Sequence, residues 1–309
     1  MLTTPEPFVR PSSPGADSYL GRVLPVHNLG FLQLIDYMGN DSDVVQAARV
    51  SYGASPKKVQ EDRDLLRYLM RHFHETPFEM CEAKFRCKMP IFVARQWIRT
   101  RTASVNEQSL RYTETKDEFY LPTLENISLQ SKDNKQGRDF VSDALSTEDR
   151  SRIVDLLRRG QEEDYKVYQT LLQDYGLARE LARTALPTSL YTQWIWKIDL
   201  RNLLHFLDLR LDPHAQFEIR AYAEVMAQIV AAWLPQSWEA FVDYRREAVT
   251  FSRPEILALK SLLDSMQEGL FEIVAELARE EHRKGLLPGL GKRELAEFVA
   301  KLQRVQNIQ

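Results

Sequence analysis

Hydrophobic positions along the chain change period several times, and each change marks an element. The clearest run is Cys81, Ala83, Phe85, Cys87 and Met89, alternating with Glu82, Lys84, Arg86 and Lys88. A period of two predicts a strand with one apolar and one charged face. FLQLIDYM (31–38) and SLYTQWIWKI (189–198), the second rich in aromatic and β-branched residues, predict two further strands. Helical spacing takes over between them. Ser42 or Asp43 caps a short helix through VVQAARV, which ends at Ser51-Tyr52-Gly53. Pro56 opens a longer helix with Leu65, Leu66, Leu69 and Met70 at helical spacing, and HETPFEM (74–80) is a polar turn. Pro90 starts a helix over 91–101, with Val93, Ala94, Trp97 and Ile98 on its buried side. Arg95 and Arg99, four apart, share another face. Thr102 to Gln108 lacks apolar periodicity and reads as a loop.

Residues 123–147 form a polar insert, followed by a long helix from Thr147 to Gly176, where glycine suits a left-handed cap. A second helix over 177–186 stops at Pro187. Asp199 caps LRNLLHFLDLRL, and Asp212-Pro213 opens HAQFEIRAYAEVMAQIVAAWL, closed by Pro235; a short helix, SWEAFVDYRR, follows. From Thr250 the character changes. Ser252 and Glu255 make a capping box, and amphipathic helices follow without a Gly-rich loop or clustered His or Asp. Three segments result: a flexible Pro/Ser/Thr-rich arm over 1–18, a main domain over 19–248, and a helical extension over 249–309.

The 309 residues carry a formal net charge of −3, with 44% hydrophobic and 28% charged residues, as in an ordinary globular protein. A mildly acidic total argues against a protein built to grip duplex nucleic acid. No apolar run approaches the ~20 residues of a membrane span. MLTTPEPFVRPSSPGAD has no apolar core of the signal-peptide kind, so a cytoplasmic location is expected. The two cysteines fall on the apolar face of their strand and are expected to be inert. Walker, GxGxxG, GxSxG, HExxH and CxxC motifs are absent. His72 and His74, two apart, do not share a helical face; with His205 and His214 they make a poor metal set, and no metal is expected.

The chemistry concentrates in arginines. Residues 90–112 hold Arg95, Arg99, Arg101 and Arg111 among Gln96, Thr100, Thr102, Ser104, Asn106, Gln108 and Ser109, with Glu107 the only acid. A guanidinium fork matches phosphate oxygens two at a time, and amides and hydroxyls add donors and acceptors beside it. A run of this kind is most often a solvated helix face. In an acidic chain the basic cluster is local, which suits a small anion better than a polyanion. Arg183, Arg201 and Arg210 extend the set. Arg210 lies among Leu203, Phe206, Leu207, Leu209 and Leu211. If buried it needs a partner: a bound anion, or an internal carboxylate such as Asp212.

RTRTASVNEQS (99–109) resembles the RHR-seven-residues-Ser motif of flavin-dependent thymidylate synthases, the ThyX family. HETPFE (74–79), PIFVARQW (90–97), NEQSLRY (106–112), the LP-x-x-LYT block at 186–192 and LHFLDLR-x-D-x-HAQ-x-EIR (204–220) match in collinear order, and AARVSYG (47–53) fits the N-terminal segment. The likeness runs from about residue 20 to 248. It implies an α+β fold of ThyX type, with an antiparallel sheet packed against long helices, to which 249–309 add a helical extension beyond the usual family length. It implies a homotetramer with active sites built from several subunits around FAD, and no nucleic-acid or membrane partner. The implied reaction is reductive methylation of dUMP to dTMP, with 5,10-methylenetetrahydrofolate as carbon donor and NADPH re-reducing the flavin. Carried over by position, the dUMP contacts are Gln96, Arg99, Glu107, Gln108, Ser109, Arg111, Arg183 and Arg210. The FAD contacts are Ser51, Thr76, Arg99, Thr100, Arg101, Asn106, Glu107, Asp199, Arg201 and His205. Arg210 is the implied catalytic residue, polarising the uracil ring by favouring ionisation at its N3.

Two positions depart from the family pattern: Thr100 replaces the central His of RHR, and Met80 replaces the His that closes HETPFEH. They leave open a different one-carbon transfer to a pyrimidine nucleotide, such as hydroxymethylation. Ser109 reads as a substrate contact, since no adjacent base activates it. A non-catalytic RNA-binding role fits poorly, because no aromatics interleave with the arginines.

Overall fold

Alternating side chains decide the architecture. In the computed structural model, which describes residues 10–50, 59–132, 137–139, 145–266, 269–287 and 290–306, the strands are β1 (Val23–Val26), β2 (Gly30–Met38), β3 (Glu82–Pro90), β4 (Ser104–Glu107), β5 (Leu129–Gln130), β6 (Arg138–Asp139) and β7 (Tyr191–Asp199). Among the described residues, five of them form one antiparallel sheet in the order β1-β2-β3-β7-β4, while β5 and β6 pair separately. The chain divides into two units, Met1–Glu247 and Ala248–Gln309.

The helices of the first unit are α1 (Pro14–Asp17), α2 (Asp41–Val50), α3 (Val59–Arg71), α4 (Ile91–Trp97), α5 (Thr147–Gln173), α6 (Arg179–Ala182), α7 (Leu200–Arg210), α8 (Phe217–Trp233) and α9 (Pro235–Phe241). β3 and β7 pair along their whole length, from Glu82 opposite Asp199 to Pro90 opposite Tyr191. This register puts Ala83, Phe85, Cys87 and Met89 on one face with Trp194, Trp196 and Ile198, all buried. Helices α4, α7 and α8 cover that face. Trp97, with no exposed surface, stacks on Phe206 at 5.1 Å and meets Trp194 and Trp196 edge-on. Each such aromatic pair adds about 0.5–1.5 kcal/mol beyond its area. Burial pushes the Cys81 thiol up to about 12 and raises Cys87 as well, so neither supplies a thiolate near neutrality.

Several elements differ from the sequence expectation. Helix α4 ends at Trp97, not 101, so Arg99 lies past it and the shared face with Arg95 is lost. Residues 104–107, expected in a loop, form an edge strand on β7. All four are exposed, and no alternation betrays them. Helix α8 starts at Phe217; Pro213 lies in a turn where Asp212 accepts from the His214 backbone N–H at 2.7 Å. The helix expected over 177–186 is only the short α6 and a 3-10 turn. The first unit also contains β1, which its mixed sequence VLPV hides.

The arm expected to be flexible over 1–18 is packed in its described part, residues 10–18. Ser13 caps α1 and its Oγ donates to the Trp233 carbonyl at 2.8 Å, while Ala16 is fully buried. Gly15 lets α1 touch α8: a Cβ there would lie 1.9 Å from the Ala232 carbonyl oxygen.

In the second unit, α10 (Arg253–Met266), α11 (Leu270–Arg283) and α12 (Lys292–Gln306) bury Phe271, Ala275, Ala278 and Val299. Glu255 accepts from the Ser252 backbone N–H at 2.7 Å, the return half of a capping box. Among the described residues no helix is long and apolar enough to cross a membrane.

Gly15→Ala is expected to lower the unfolding free energy by about 1–3 kcal/mol, because the backbone of α8 must move. Urea denaturation measures it, and an unchanged midpoint contradicts the packed N-terminal segment.

Candidate active site

Trp97 anchors α4 from one side, and its neighbour Gln96 therefore points elsewhere. Gln96 Nε2 donates to Gln216 Oε1 on the connection between α7 and α8. Gln216 Nε2 donates in turn to Glu218 Oε2 at 2.8 Å. The Glu218 side chain is only 1% exposed, and its other oxygen accepts from Tyr120 OH at 2.8 Å and from Arg138 at 2.5 Å. Burial pushes the Glu218 carboxyl up, but the Arg138 guanidinium, with Gln216 and Tyr120, outweighs burial and holds it below its ordinary value. Strand β6 is thus tied to the core through Arg138.

Arg210 closes α7. Its Nε is buried and has no hydrogen-bond partner among the described residues, and burial lowers its pKa. Two carboxylates close to it in sequence, Asp212 and Glu218, are engaged elsewhere. Asp212 bonds the backbone N–H and Nδ1 of His214, and Glu218 is saturated as described. A buried guanidinium nitrogen left this way costs free energy unless a ligand meets it.

Arg111 and Arg183, far apart in sequence, meet at Glu180. Arg111 Nε donates to Glu180 Oε2 at 3.1 Å, and Arg183 Nε donates to the Glu180 carbonyl at 3.3 Å. The Ser109 hydroxyl accepts from the Arg111 backbone N–H at 3.3 Å. All three charged side chains are exposed, so the pair with Glu180 is weak and displaceable. Arg99 and Arg101 follow α4, exposed, and among the described residues no carboxylate pairs with either, or with Arg95. Thr100 is held at the helix end by its N–H to the Trp97 carbonyl at 2.9 Å.

The edge strand supplies further groups. Glu107 Oε1 accepts from Thr192 Oγ1 at 2.7 Å, and Asn106, Glu107 and Gln108 line a groove of about 260 Å³ with Arg86, Gln193 and Ile195. A neighbouring groove of about 250 Å³ sets Thr100 and Arg101 beside Val105, Trp194 and Trp196.

A third recess, lined by Phe78, Arg201, His205 and Arg245, surrounds Glu75. Arg201 and Arg245 share that carboxylate at 2.7 Å each, and Asp208 lines the same recess, so its two cations face two carboxylates. Asp199 is occupied as the cap of α7, accepting from the Asn202 N–H at 2.9 Å. Thr76 lies in the 3-10 turn before β3, exposed. Ser51 lies outside the described residues. Met80 is exposed.

Sequence reasoning missed Arg138, Tyr120 and Gln216 as a set, and Glu75 as the shared partner of two arginines. The available signal for the first was Glu218 itself, an acid among the apolar positions of α8.

Arginines that no carboxylate answers among the described residues, Arg101 beside the edge strand β4 and the buried Nε of Arg210 at the end of α7, give this α+β chain the chemistry to hold a phosphorylated ligand. Residues 33–236 match the family model described as thymidylate synthase complementing protein. A flavin-dependent thymidylate synthase of Ruegeria pomeroyi is 51% identical over 260 residues, covering 83% of this chain and 85% of that one. Another, of Gluconobacter oxydans, is 48% identical over 300 residues, covering 96% of this chain and 93% of its own. The latter match is too long to leave out the C-terminal unit, so that extension is not peculiar to this chain. Among solved structures, the UMP/dUMP methylase PolB of Streptomyces cacaoi bound with 5-bromo-dUMP superposes with a TM-score of 0.65 at 35% identity, over 72% of this chain and 99% of its own. The chain belongs to the flavin-dependent thymidylate synthase family.

Arg138→Met removes the cation that keeps buried Glu218 ionised. Burial then raises the carboxyl above its unfolded value. The variant is expected to lose roughly 3–5 kcal/mol at pH 7. The deficit should shrink as pH falls, first through the raised carboxyl value of the variant and then through the lowered value of the unmodified protein, below which Glu218 is protonated in both. Urea unfolding at neutral and mildly acid pH reads this; a deficit independent of pH argues against an ionised Glu218.

Proposed function

We propose that this chain is an FAD-dependent thymidylate synthase. It converts dUMP to dTMP with 5,10-methylenetetrahydrofolate as carbon donor and NADPH as the source of reducing equivalents. The observation that carries this reading is the buried, unpartnered Nε of Arg210, in a family whose curated relatives are named for the reaction. The neighbour solved with a dUMP analogue supports the nucleotide.

The donor set fits a flavin dinucleotide. Arg99 and Arg101 offer charge not neutralised within the described residues, and Trp194 and Trp196 offer an apolar wall beside them. Thr76, Thr100, Asn106, Glu107, Asp199, Arg201 and His205 complete the set that would hold FAD. Bound FAD, once reduced, supplies the hydride, so the protein needs no nucleophile of its own.

The protein's own residues bind and orient. Arg111 and Arg183 exchange Glu180 for the nucleotide phosphate, a stronger and bidentate partner. Arg99, Gln96, Glu107, Gln108 and Ser109 fix the ring and sugar, and orientation of this kind can remove much of a barrier. Arg210 draws negative charge onto N3 and O4 of the uracil and so raises electron density at C5. Its buried setting strengthens that pull. The grooves lie open on one chain and are completed by assembly into a homotetramer in the cytoplasm, where several subunits contribute to each site.

Purified protein is expected to be yellow, to change its flavin absorbance on adding dUMP, and to form dTMP when reduced with methylenetetrahydrofolate. Folded, flavin-loaded protein that forms no dTMP sinks the reading. Mass analysis of the nucleotide separates the alternative transfer motivated by Thr100, since a hydroxymethyl product is ~16 Da heavier by atom count. Arg210→Ala should lower kcat by at least about 10²–10³-fold while flavin content and melting temperature hold. Loss of the fold instead would show a structural arginine.

A further inference from the structure

Glu218 is the most deeply buried carboxylate around the site, yet it reaches the nucleotide-facing residues only through Gln216. We propose that Glu218 is a positioning residue: through Gln216 it holds the Gln96 amide in one orientation, with the carbonyl oxygen of Gln96 facing the nucleotide. This rests on the reading above, in which Gln96 contacts dUMP.

The argument is one of hydrogen-bond polarity. An ionised carboxylate can only accept. Tyr120 and Arg138 donate to Oε1 of Glu218, which leaves Oε2 for Gln216. Gln216 must therefore turn its NH2 toward Glu218, and its carbonyl oxygen is left pointing the other way. The group it meets there is the Gln96 amide, which can answer an acceptor only with its NH2. The carbonyl oxygen of Gln96 is then what remains for a ligand.

A glutamine amide left to itself can turn over, because its two ends have nearly the same shape and opposite polarity. Here a fixed charge at one end of the chain selects one end of each amide in turn. Gln96 thereby prefers a hydrogen-bond donor on the nucleotide, the 3′-hydroxyl, since the ring N3 is where Arg210 draws negative charge. A partner that presents an acceptor at that point leaves two oxygens or nitrogens facing each other without a proton, which is strongly disfavoured.

Arg138 and Tyr120 are part of the device. They keep Glu218 charged despite burial, and so keep it an acceptor. Glu218→Gln preserves shape but reverses that polarity: Arg138 can only donate and so pins the oxygen of the new amide, which leaves its NH2 facing Gln216.

The test is a double-mutant cycle on the flavin-loaded full chain, reading the dUMP dissociation constant from the flavin difference spectrum. Gln96→Ala and Glu218→Gln are each expected to weaken dUMP roughly tenfold, and the double variant to be no weaker than Gln96→Ala alone. If Glu218→Gln costs the same factor with and without Gln96, its role is structural and the relay is wrong. If Gln96→Ala leaves dUMP affinity unchanged, the placement of Gln96 against the nucleotide fails, and the relay with it. Gln216→Met, which leaves the Arg138 pair intact, reads the same cycle should Glu218→Gln not fold. The 3′-deoxy analogue of dUMP tests the donor, because an analogue that lacks it no longer responds to Gln96→Ala.

Discussion

The burial of Trp97 is the constraint on which the site depends. This one indole fills the space between β7, α7 and α8, against Trp194, Trp196, Phe206 and Tyr222. A close-packed aromatic cluster has few alternative arrangements, so it fixes both the position and the rotation of α4. With α4 set, Gln96 must face Gln216, and the chain that leaves the helix after Trp97 must carry Arg99, Thr100 and Arg101 across the front of β7. The same cluster explains why short elements suffice to build the site. Helix α4 has too few turns to be stable alone, and tertiary packing supplies what propensity does not.

Charge is distributed on a second principle. Arginines that serve the fold are matched to carboxylates: Arg138 to Glu218, and Arg67 to Glu239 and Asp243. Arginines assigned to ligands are matched weakly or not at all. Arg111 has an exposed, exchangeable partner, Arg99 and Arg101 have none among the described residues, and the buried Nε of Arg210 has none either. Arg201 stands between the two cases, since Glu75 divides its charge between that residue and Arg245. Structural and ligand-binding arginines look alike in a sequence; whether a carboxylate answers each one is a property of the packed chain.

Much of the sheet was legible because its burial is one-sided. The period-two pattern of 81–89 and the aromatic run of 191–199 survive as β3 and β7, paired residue for residue. Asp199 reads as a helix cap and is one, because that interaction is local. β4 was illegible because both its faces are exposed, and α1 because a short turn held by a distant helix leaves no periodic trace. The start of α8 was misjudged because Asp212-Pro213 is a valid helix opening that a turn uses instead.

The sequence by itself determined the family, through motifs in collinear order, and with it the set of polar residues proposed to meet an anionic nucleotide. It also determined the central strands, since alternation along a strand follows from the geometry of the backbone. Only the tertiary structure decided that the Arg210 Nε is buried without a partner among the described residues, that Arg111 and Arg183 converge on Glu180, and that a buried carboxylate stands behind Gln96. The bonds that join these groups reach across the chain: Arg111 lies 69 positions from Glu180, and Gln96 lies 120 from Gln216. Hydrogen-bond pairing acts through space over a few ångströms, and no local pattern in the chain encodes it.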